Sequence, residues 1–390
     1  MRRVTTLCVL YAAFAMPVAM LGVAWPDVRE TLLRSEAELG VLAGCYGVGR
    51  LSTATVSGTL LRMASFGPAT LASALVLAAS CVAVAVGPSW PVLVAVVVVV
   101  GLATGALESL GTRYLAVSGS VRSAGLAAGS YGVGATVGPA LVAVTGNWRL
   151  MYVVAALITV AAGAAVASPA VRWPDGLVAR QPPAVPHAPV RRPHGPERAV
   201  VLLSLSLFFL FVGVEATAGQ WTATFLEQSR GLDRWSAGIA VSGFFAGVTV
   251  GRLLLGAIDV PARVLPLLAV LMVPLLAAVA AGPPSLAPVF VSLAGVTVSP
   301  MFPVLMATTG RRSGAWHAGR VSGWQLIAGN VGATALPAAT GLVVSSISPD
   351  AVIFVLMTAG TVGTALLTLL TGDWIGVPGV AARRSVRLGG

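Results

Sequence analysis

Runs of about 20 apolar residues alternate with short polar segments along the whole chain. A run of this length crosses the hydrocarbon core of a bilayer as an α-helix. The pattern therefore predicts an all-α membrane protein with twelve transmembrane helices, near residues 4–24, 38–60, 67–87, 91–113, 124–145, 149–168, 199–222, 236–257, 262–281, 286–308, 320–344 and 351–371.

The longest polar segment, residues 169–198, divides six predicted helices from six. It contains eight prolines and five arginines, so it cannot bury a core and is expected to be an extended linker. The predicted organisation is an N-terminal six-helix bundle over residues 1–168, a cytoplasmic linker over 169–198, a C-terminal six-helix bundle over 199–372 and a cytoplasmic basic tail over 373–390.

Glycine and proline landmarks recur between the two halves at a spacing of 198 residues. This offset favours two parallel, pseudo-symmetric copies of one six-helix unit. Helices 5 and 11 should then occupy equivalent positions, with a glycine of each at a contact that moves during function. The matched positions are Gly40 and Gly238, Gly58 and Gly256, Gly134 and Gly332, and Pro139 and Pro337.

The composition excludes a water-soluble protein, because 57% of residues are hydrophobic and only 9% are charged, against roughly 25% in soluble domains. The net charge of +11 comes from 24 arginines, which lie between the apolar runs and do not form a nucleic-acid surface. Apart from Arg50, eighteen arginines fall on one predicted side of the membrane and five on the other. The positive-inside rule therefore places both termini and the linker in the cytoplasm.

Three ionisable residues, Arg50, Glu108 and Glu215, lie well inside predicted helices, where a charge is costly unless it faces a partner or a cavity. Two interpretations of Glu108 are open: it handles protons or substrate, or it forms a permanent ion pair with Arg50. For Glu215 the alternatives are proton or substrate handling, or a polar network that packs the helices of the bundle together. Arg113 and Arg252 lie nearer the helix ends and are interpreted as interfacial anchors.

Aromatic and amide side chains at membrane depth suggest a site for a polar solute. An aromatic face can cover a sugar-like ring, and amides can bind its hydroxyl groups. For the tryptophans the alternative is an interfacial belt or plain packing, and for the amides it is a hydrogen bond between helices. The candidate substrate-binding residues are Tyr131, Gln220, Trp221, Trp324, Gln325 and Asn330.

The sequence does not indicate enzyme chemistry, a cofactor or a metal site. All three histidines, His187, His194 and His317, fall in predicted loops, so no histidine metal cluster or catalytic set is expected in the membrane. A nucleotide loop is also not indicated, because the chain has no lysine to reach a phosphate. The driving force is therefore expected to come from an ion gradient or from the gradient of the substrate.

Four segments carry a resemblance to a known family. The twelve helices in two halves resemble the major facilitator superfamily over essentially the whole chain, and the closest likeness is to its fucose permease-like, sugar:proton symporter branch. The segments are Gly105-Ala-Leu-Glu108-Ser, Val212 to Trp221, Val250-Gly-Arg252, and Gly323-Trp-Gln325 through Pro337.

The resemblance implies a role for Glu108, whose position matches the acid that these permeases use for substrate and proton handling. The chain also departs from the family pattern. Its first predicted helix has no acid, and the loop from Gly58 to Gly67 keeps a glycine and Arg62 without the usual aspartate. Arg113 stands where the branch commonly has small or amide residues.

Together these features predict a secondary transporter that works by alternating access in the plasma membrane. Its expected partners are the lipid bilayer, a small polar solute, with a sugar-like solute favoured, and a proton as coupling ion, and it is expected to function as a monomer. Proton-driven efflux of a drug or natural product is the alternative. A receptor or channel that does not transport is a more remote one.

Overall fold

The computed structural model describes residues 2–60, 65–87, 89–118, 121–171, 173, 195–257, 264–313 and 318–371. Six long helices form the N half of the molecule. They are α1 (Arg2–Leu32), α2 (Glu38–Leu60), α3 (Phe66–Val86), α4 (Trp90–Ser118), α5 (Val121–Thr145) and α6 (Trp148–Ala167).

The C half contains helices at each of the remaining predicted positions, with α10 and α11 sharing the tenth and the short α12 following it. Within the described residues, ten helices are long and apolar enough to cross a membrane, and α9 is a shorter apolar helix. The predicted all-α membrane fold is confirmed. The C-half helices are α7 (Gly195–Gln228), α8 (Arg234–Ala257), α9 (Leu265–Ala281), α10 (Ala287–Val298), α11 (Met301–Ala307), α12 (Thr309–Ser313), α13 (Ala318–Ser346) and α14 (Ala351–Thr371).

The tenth span is broken near its middle, which the sequence pattern did not predict. Helix α10 ends at Val298 and α11 begins at Met301. Pro300 lies between them and has no backbone N–H to continue the helical ladder. The hydroxyl of Ser299 donates a hydrogen bond to the carbonyl of Val296 at 2.8 Å. A backbone carbonyl at the break is thus satisfied inside the protein, as burial requires.

The two halves repeat the same packing. Helices α1 and α5, α2 and α4, and α3 and α6 pair in the N half, and α7 and α13, α8 and α10, and α9 and α14 pair in the C half. Helices 5 and 11 of the sequence, now α5 and α13, are therefore equivalent. Gly134 abuts the backbone of Ala12 in α1, and Gly332 abuts that of Phe209 in α7. Both glycines thus lie inside their own halves, which corrects the expectation that they lie at a moving contact.

The boundary between linker and C half differs slightly from the prediction. Helix α7 begins at Gly195, so its first turn is formed by residues assigned to the linker. Most of the predicted linker lies outside the described residues, as do Arg62 and the predicted basic tail.

Candidate substrate cavity between the two halves

The two halves meet mainly along two lines of contact, α2 with α13 and α5 with α8, and also where α1 meets α7. We call the end of the molecule that contains residues 33–37 and 229–233 the loop face, and the opposite end, where α1 and α7 begin, the terminus face. Near the loop face the halves are in close contact. A methyl group at Gly40 would lie 2.9 Å from both the carbonyl oxygen of Ala338 and the Cα of Gly341.

Toward the terminus face the halves separate. Gly132 of α5 abuts α8, whereas Gly125, two turns away on the same side of α5, has no described atom within 4 Å of its Cβ position. On α13, Thr334 is in contact with α2, but around Gly323, three turns nearer the terminus face, the described chain again leaves open space. Among the residues that the structure describes, a cavity therefore opens between the halves toward the terminus face.

In the N half, Arg50 of α2 and Glu108 of α4 form a two-pronged ion pair. The Arg50 Nε donates to Glu108 Oε2 at 2.9 Å, and Nη2 donates to Oε1 at 2.9 Å and to Oε2 at 2.6 Å. Gly105 lets the two helices approach, since a methyl group there would lie 3.0 Å from the Arg50 carbonyl oxygen. The side chain of Glu108 is 40% exposed, so the pair that the sequence left open is formed and borders open space.

In the C half, Arg252 of α8 pairs with Glu215 of α7. Its Nη2 donates to Glu215 Oε2 at 2.6 Å. The side chains are 26% and 20% exposed. Arg252 is therefore not an anchor at the membrane interface, as its position near the helix end suggested, because its guanidinium reaches the intramembrane carboxylate.

Tyr131 of α5 and Phe245 of α8 come from opposite halves and pack on the same buried alanines. The Tyr131 ring meets that of Phe14 edge-on, with centroids 5.8 Å apart. Tyr131 also belongs to a small group of packed residues at the interface between the halves. We call this group the apolar layer, and it consists of Tyr131, Phe245, Ala15, Ala19 and Ala135.

Two candidates on α13 point in different directions. Asn330 is half-buried and lies one turn from Thr334, the residue in contact with α2, so it faces the cavity. Trp324 is 43% exposed and lies five full turns from Leu342, which is 72% exposed at the closed loop face. Trp324 thus shares the outward side of α13 with Leu342, the position of an interfacial belt residue.

Two other candidates lie inside the C half and are not available to a solute in the cavity. Trp221 is fully buried, and its Nε1 donates to the carbonyl of Pro337 at 3.0 Å. Gln325 is also fully buried. Its Nε2 donates to Ser204 Oγ at 2.5 Å, and its Oε1 accepts from Thr309 Oγ1 at 2.9 Å. Their polar groups bind neighbouring helices, which favours the alternatives of packing for Trp221 and a hydrogen bond between helices for Gln325.

Gln220 lies at the contact of α7 with α1, where its backbone abuts Gly22. Its side chain is buried, and its Oε1 has no hydrogen-bond partner among the described residues. With Tyr46 and mostly apolar residues it borders a separate cavity of about 30 Å³. This volume suits water and not a sugar.

At the loop face an ion cluster joins the halves. Arg234, the first residue of α8, contacts Asp27 of α1, and its Nη2 donates to both carboxylate oxygens of Glu30 at 3.1 Å. Because Arg234 belongs to the C half and the two acids belong to the N half, this cluster forms only while the loop face is closed. We call it the loop-face latch.

The sequence matches the Major Facilitator Superfamily over residues 7–292, more than two thirds of the chain. The chain belongs to the Major Facilitator Superfamily. Its transmembrane helices and its two related halves are those of a transporter of this superfamily. None of the curated proteins compared with the chain is similar to it in sequence.

Solved structures of superfamily members share the fold. The nucleoside transporter NupG is 12% identical, with a TM-score of 0.70 and coverage of 95% of this chain and 100% of that one. An inward-facing bacterial homolog of the human lysosomal transporter Spinster is 14% identical, with a TM-score of 0.64 and coverage of 94% of each chain. FucP, in an outward conformation, is 13% identical, with a TM-score of 0.62 and coverage of 94% of this chain and 98% of that one. At these identities the likeness concerns the fold alone.

Of the charged residues that line the cavity of this superfamily member, sequence reasoning missed Arg252. A signal was present, because an acid inside an apolar helix needs a cationic partner, and Glu215 had none assigned. Helix α8 continues five residues beyond Arg252, which places it deeper than an interfacial anchor. Phe245, which helps to form the apolar layer, carried no distinguishing signal within its apolar run.

Proposed function

We propose that this protein is a secondary active transporter that moves a small polar solute across the plasma membrane by alternating access, as a monomer. The observation that carries the proposal is one cavity, closed at the loop face and open at the terminus face, to which each half contributes an ion pair. Charges at membrane depth are costly unless they serve a cavity. Rocking of the halves about this cavity would expose it to each side in turn.

The arginine distribution supports cytoplasmic termini, so that the cavity opens to the cytoplasm in this conformation. We expect a single cysteine at Pro186, in a variant without Cys8, Cys45 and Cys81, to react with a membrane-impermeant maleimide only after the cells are permeabilised. A matched cysteine at Ser348, on the loop face, should react in intact cells. Labelling of the Pro186 position in intact cells would reverse the orientation of every loop.

Glu108 and Glu215 are the proposed proton-coupling groups, since each is an acid inside the membrane with its side chain partly exposed. Tyr131 and Asn330 support a sugar-like solute, because an aromatic ring and an amide beside the cavity can bind a ring and its hydroxyl groups. Efflux is the second candidate. In the proposed orientation the cavity faces the cytoplasm, where an exporter loads its substrate.

The test is transport by purified protein in liposomes. Sugars and other small polar solutes that raise the melting temperature are then used in counterflow, and we expect saturable exchange of at least one of them. An inward proton gradient should accelerate uptake in a symporter, and the opposite gradient should do so in an exporter. Single-channel currents, or no exchange of any stabilising solute, would contradict the proposal.

A further inference from the structure

The two ion pairs of the cavity differ in how completely the arginine is used. Arg50 donates from both Nε and Nη2 to Glu108, which is the fork geometry of a satisfied arginine–carboxylate pair. Arg252 donates to Glu215 from Nη2 alone. Since a guanidinium carries five N–H donors, Arg252 retains donors for a further acceptor.

One of these donors is buried and unmatched. The Nε of Arg252 is shielded from solvent and has no hydrogen-bond partner among the described residues. A buried charged donor without an acceptor is unfavourable. Other arginines with a buried Nε do not face the cavity. Arg29, Arg34 and Arg230 lie near the loop face. Arg312 donates hydrogen bonds to Ser204 and to the Leu305 carbonyl inside the C half.

Arg252 is directed toward the cavity. It lies two turns from Phe245 of the apolar layer, on the same side of α8 and nearer the terminus face. Thr249, three residues before it, abuts Gly132 across the interface between the halves. A solute that enters from the terminus face therefore reaches the level of Arg252 before that of Phe245.

We propose that Arg252 binds an anionic group of the transported solute, so that the substrate is a small organic anion, such as a sugar acid. The inference rests on the proposed transport function and names its substrate class. A carboxylate matches the planar donor fork of arginine. It would compete with Glu215 for the same guanidinium, so Glu215 holds the site closed to anions until a solute carboxylate displaces it.

The experiment compares carboxylates with neutral solutes of the same skeleton. Glucuronate and galacturonate, with glucose and galactose as their neutral counterparts, are titrated into purified protein while its melting temperature is followed. We expect at least one sugar acid to stabilise the protein with at least tenfold higher affinity than its neutral counterpart. Stabilisation by none of the acids, or equally by acids and neutral sugars, would overturn the inference.

Variants assign the effect to Arg252. Glu215→Gln removes the competing carboxylate and should raise the affinity for the acid several-fold. The double variant Arg252→Gln/Glu215→Gln leaves no orphaned charge, so it should fold, and it should lose the preference for the acid by about tenfold or more. The matched double variant Arg50→Gln/Glu108→Gln also removes one ion pair but should keep the preference.

The outcomes separate the inference from the proposed function. Saturable counterflow of a neutral sugar, unaffected by Arg252→Gln/Glu215→Gln, would overturn the anion site and leave the transporter proposal in place. Binding of a sugar acid that depends on Arg252, without counterflow, would support the anion site and contradict transport. Equal loss of preference in both double variants would also overturn the assignment to Arg252.

Discussion

Glu108→Gln is expected to lower the free energy of unfolding by about 1–3 kcal/mol and to abolish proton-driven accumulation. The variant leaves Arg50 without its counter-ion. Breaking a fully buried pair costs about 3–5 kcal/mol and breaking an exposed pair at most about 1 kcal/mol. The side chains of Arg50 and Glu108 are 23% and 40% exposed, so the expected cost lies between these limits.

A second substitution separates the two consequences. Arg50→Met removes the orphaned charge, so the double variant Arg50→Met/Glu108→Gln should regain most of the melting temperature but not the accumulation. Asp350→Asn, a matched change of an exposed acid at the loop face, should alter neither quantity. A stable Glu108→Gln protein with unchanged accumulation would contradict both the stabilising ion pair with Arg50 and the role of Glu108 in proton coupling. Glu215 would then be the remaining candidate for proton coupling.

Gly341→Leu is expected to shift the protein away from the conformation described here and to reduce transport strongly. A Cβ at Gly341 would lie 2.6 Å from the carbonyl oxygen of Ala37 and 2.8 Å from the Cα of Gly40. These atoms belong to the backbone of the N half and cannot move aside separately, so a leucine fits only if the loop face opens. A single cysteine at Ala338, in a cysteine-free variant, should then react with maleimide from the loop face at least about tenfold faster.

Gly125→Leu is the matched control on the opposite face. The described structure leaves open space around Gly125, so the larger side chain fits this conformation and should hinder only closure of the terminus face. Labelling at Ala338 should therefore slow or stay constant, while transport decreases. If Gly341→Leu left both labelling and transport unchanged, the contact of Gly40 with Gly341 would not be a moving one.

The fold followed from the sequence because lipid imposes simple requirements. Each crossing needs about 20 apolar residues with a self-satisfied backbone, so the positions of the helices, the division into halves and the equivalence of α5 with α13 could all be predicted. The break in the tenth span could not, because proline is tolerated inside membrane helices when neighbours satisfy the freed groups. Pro139 and Pro337 lie in continuous helices, whereas Pro300 does not.

The candidate site was predicted less completely, since function depends on which side of a helix a residue occupies. Arg50, Glu108 and Glu215 were found from the cost of a charge in lipid, which requires no knowledge of neighbours. For Trp221 and Gln325 the choice between substrate binding and packing stayed open, because an apolar sequence without a strongly polar face does not indicate which side of the helix packs inside its half. Only the packed structure reveals that those two polar groups are already bound.

The loop-face latch determines how firmly this transporter rests in one state. Arg234 and Glu30 are 52% and 58% exposed, and an exposed ion pair contributes at most about 1 kcal/mol, a factor of about five in population. The latch therefore favours the closed loop face over the open one without locking it, and salt weakens this preference. In dilute media more carriers would rest with the loop face closed than in concentrated media, so the resting distribution of the carrier responds to the medium before any solute binds.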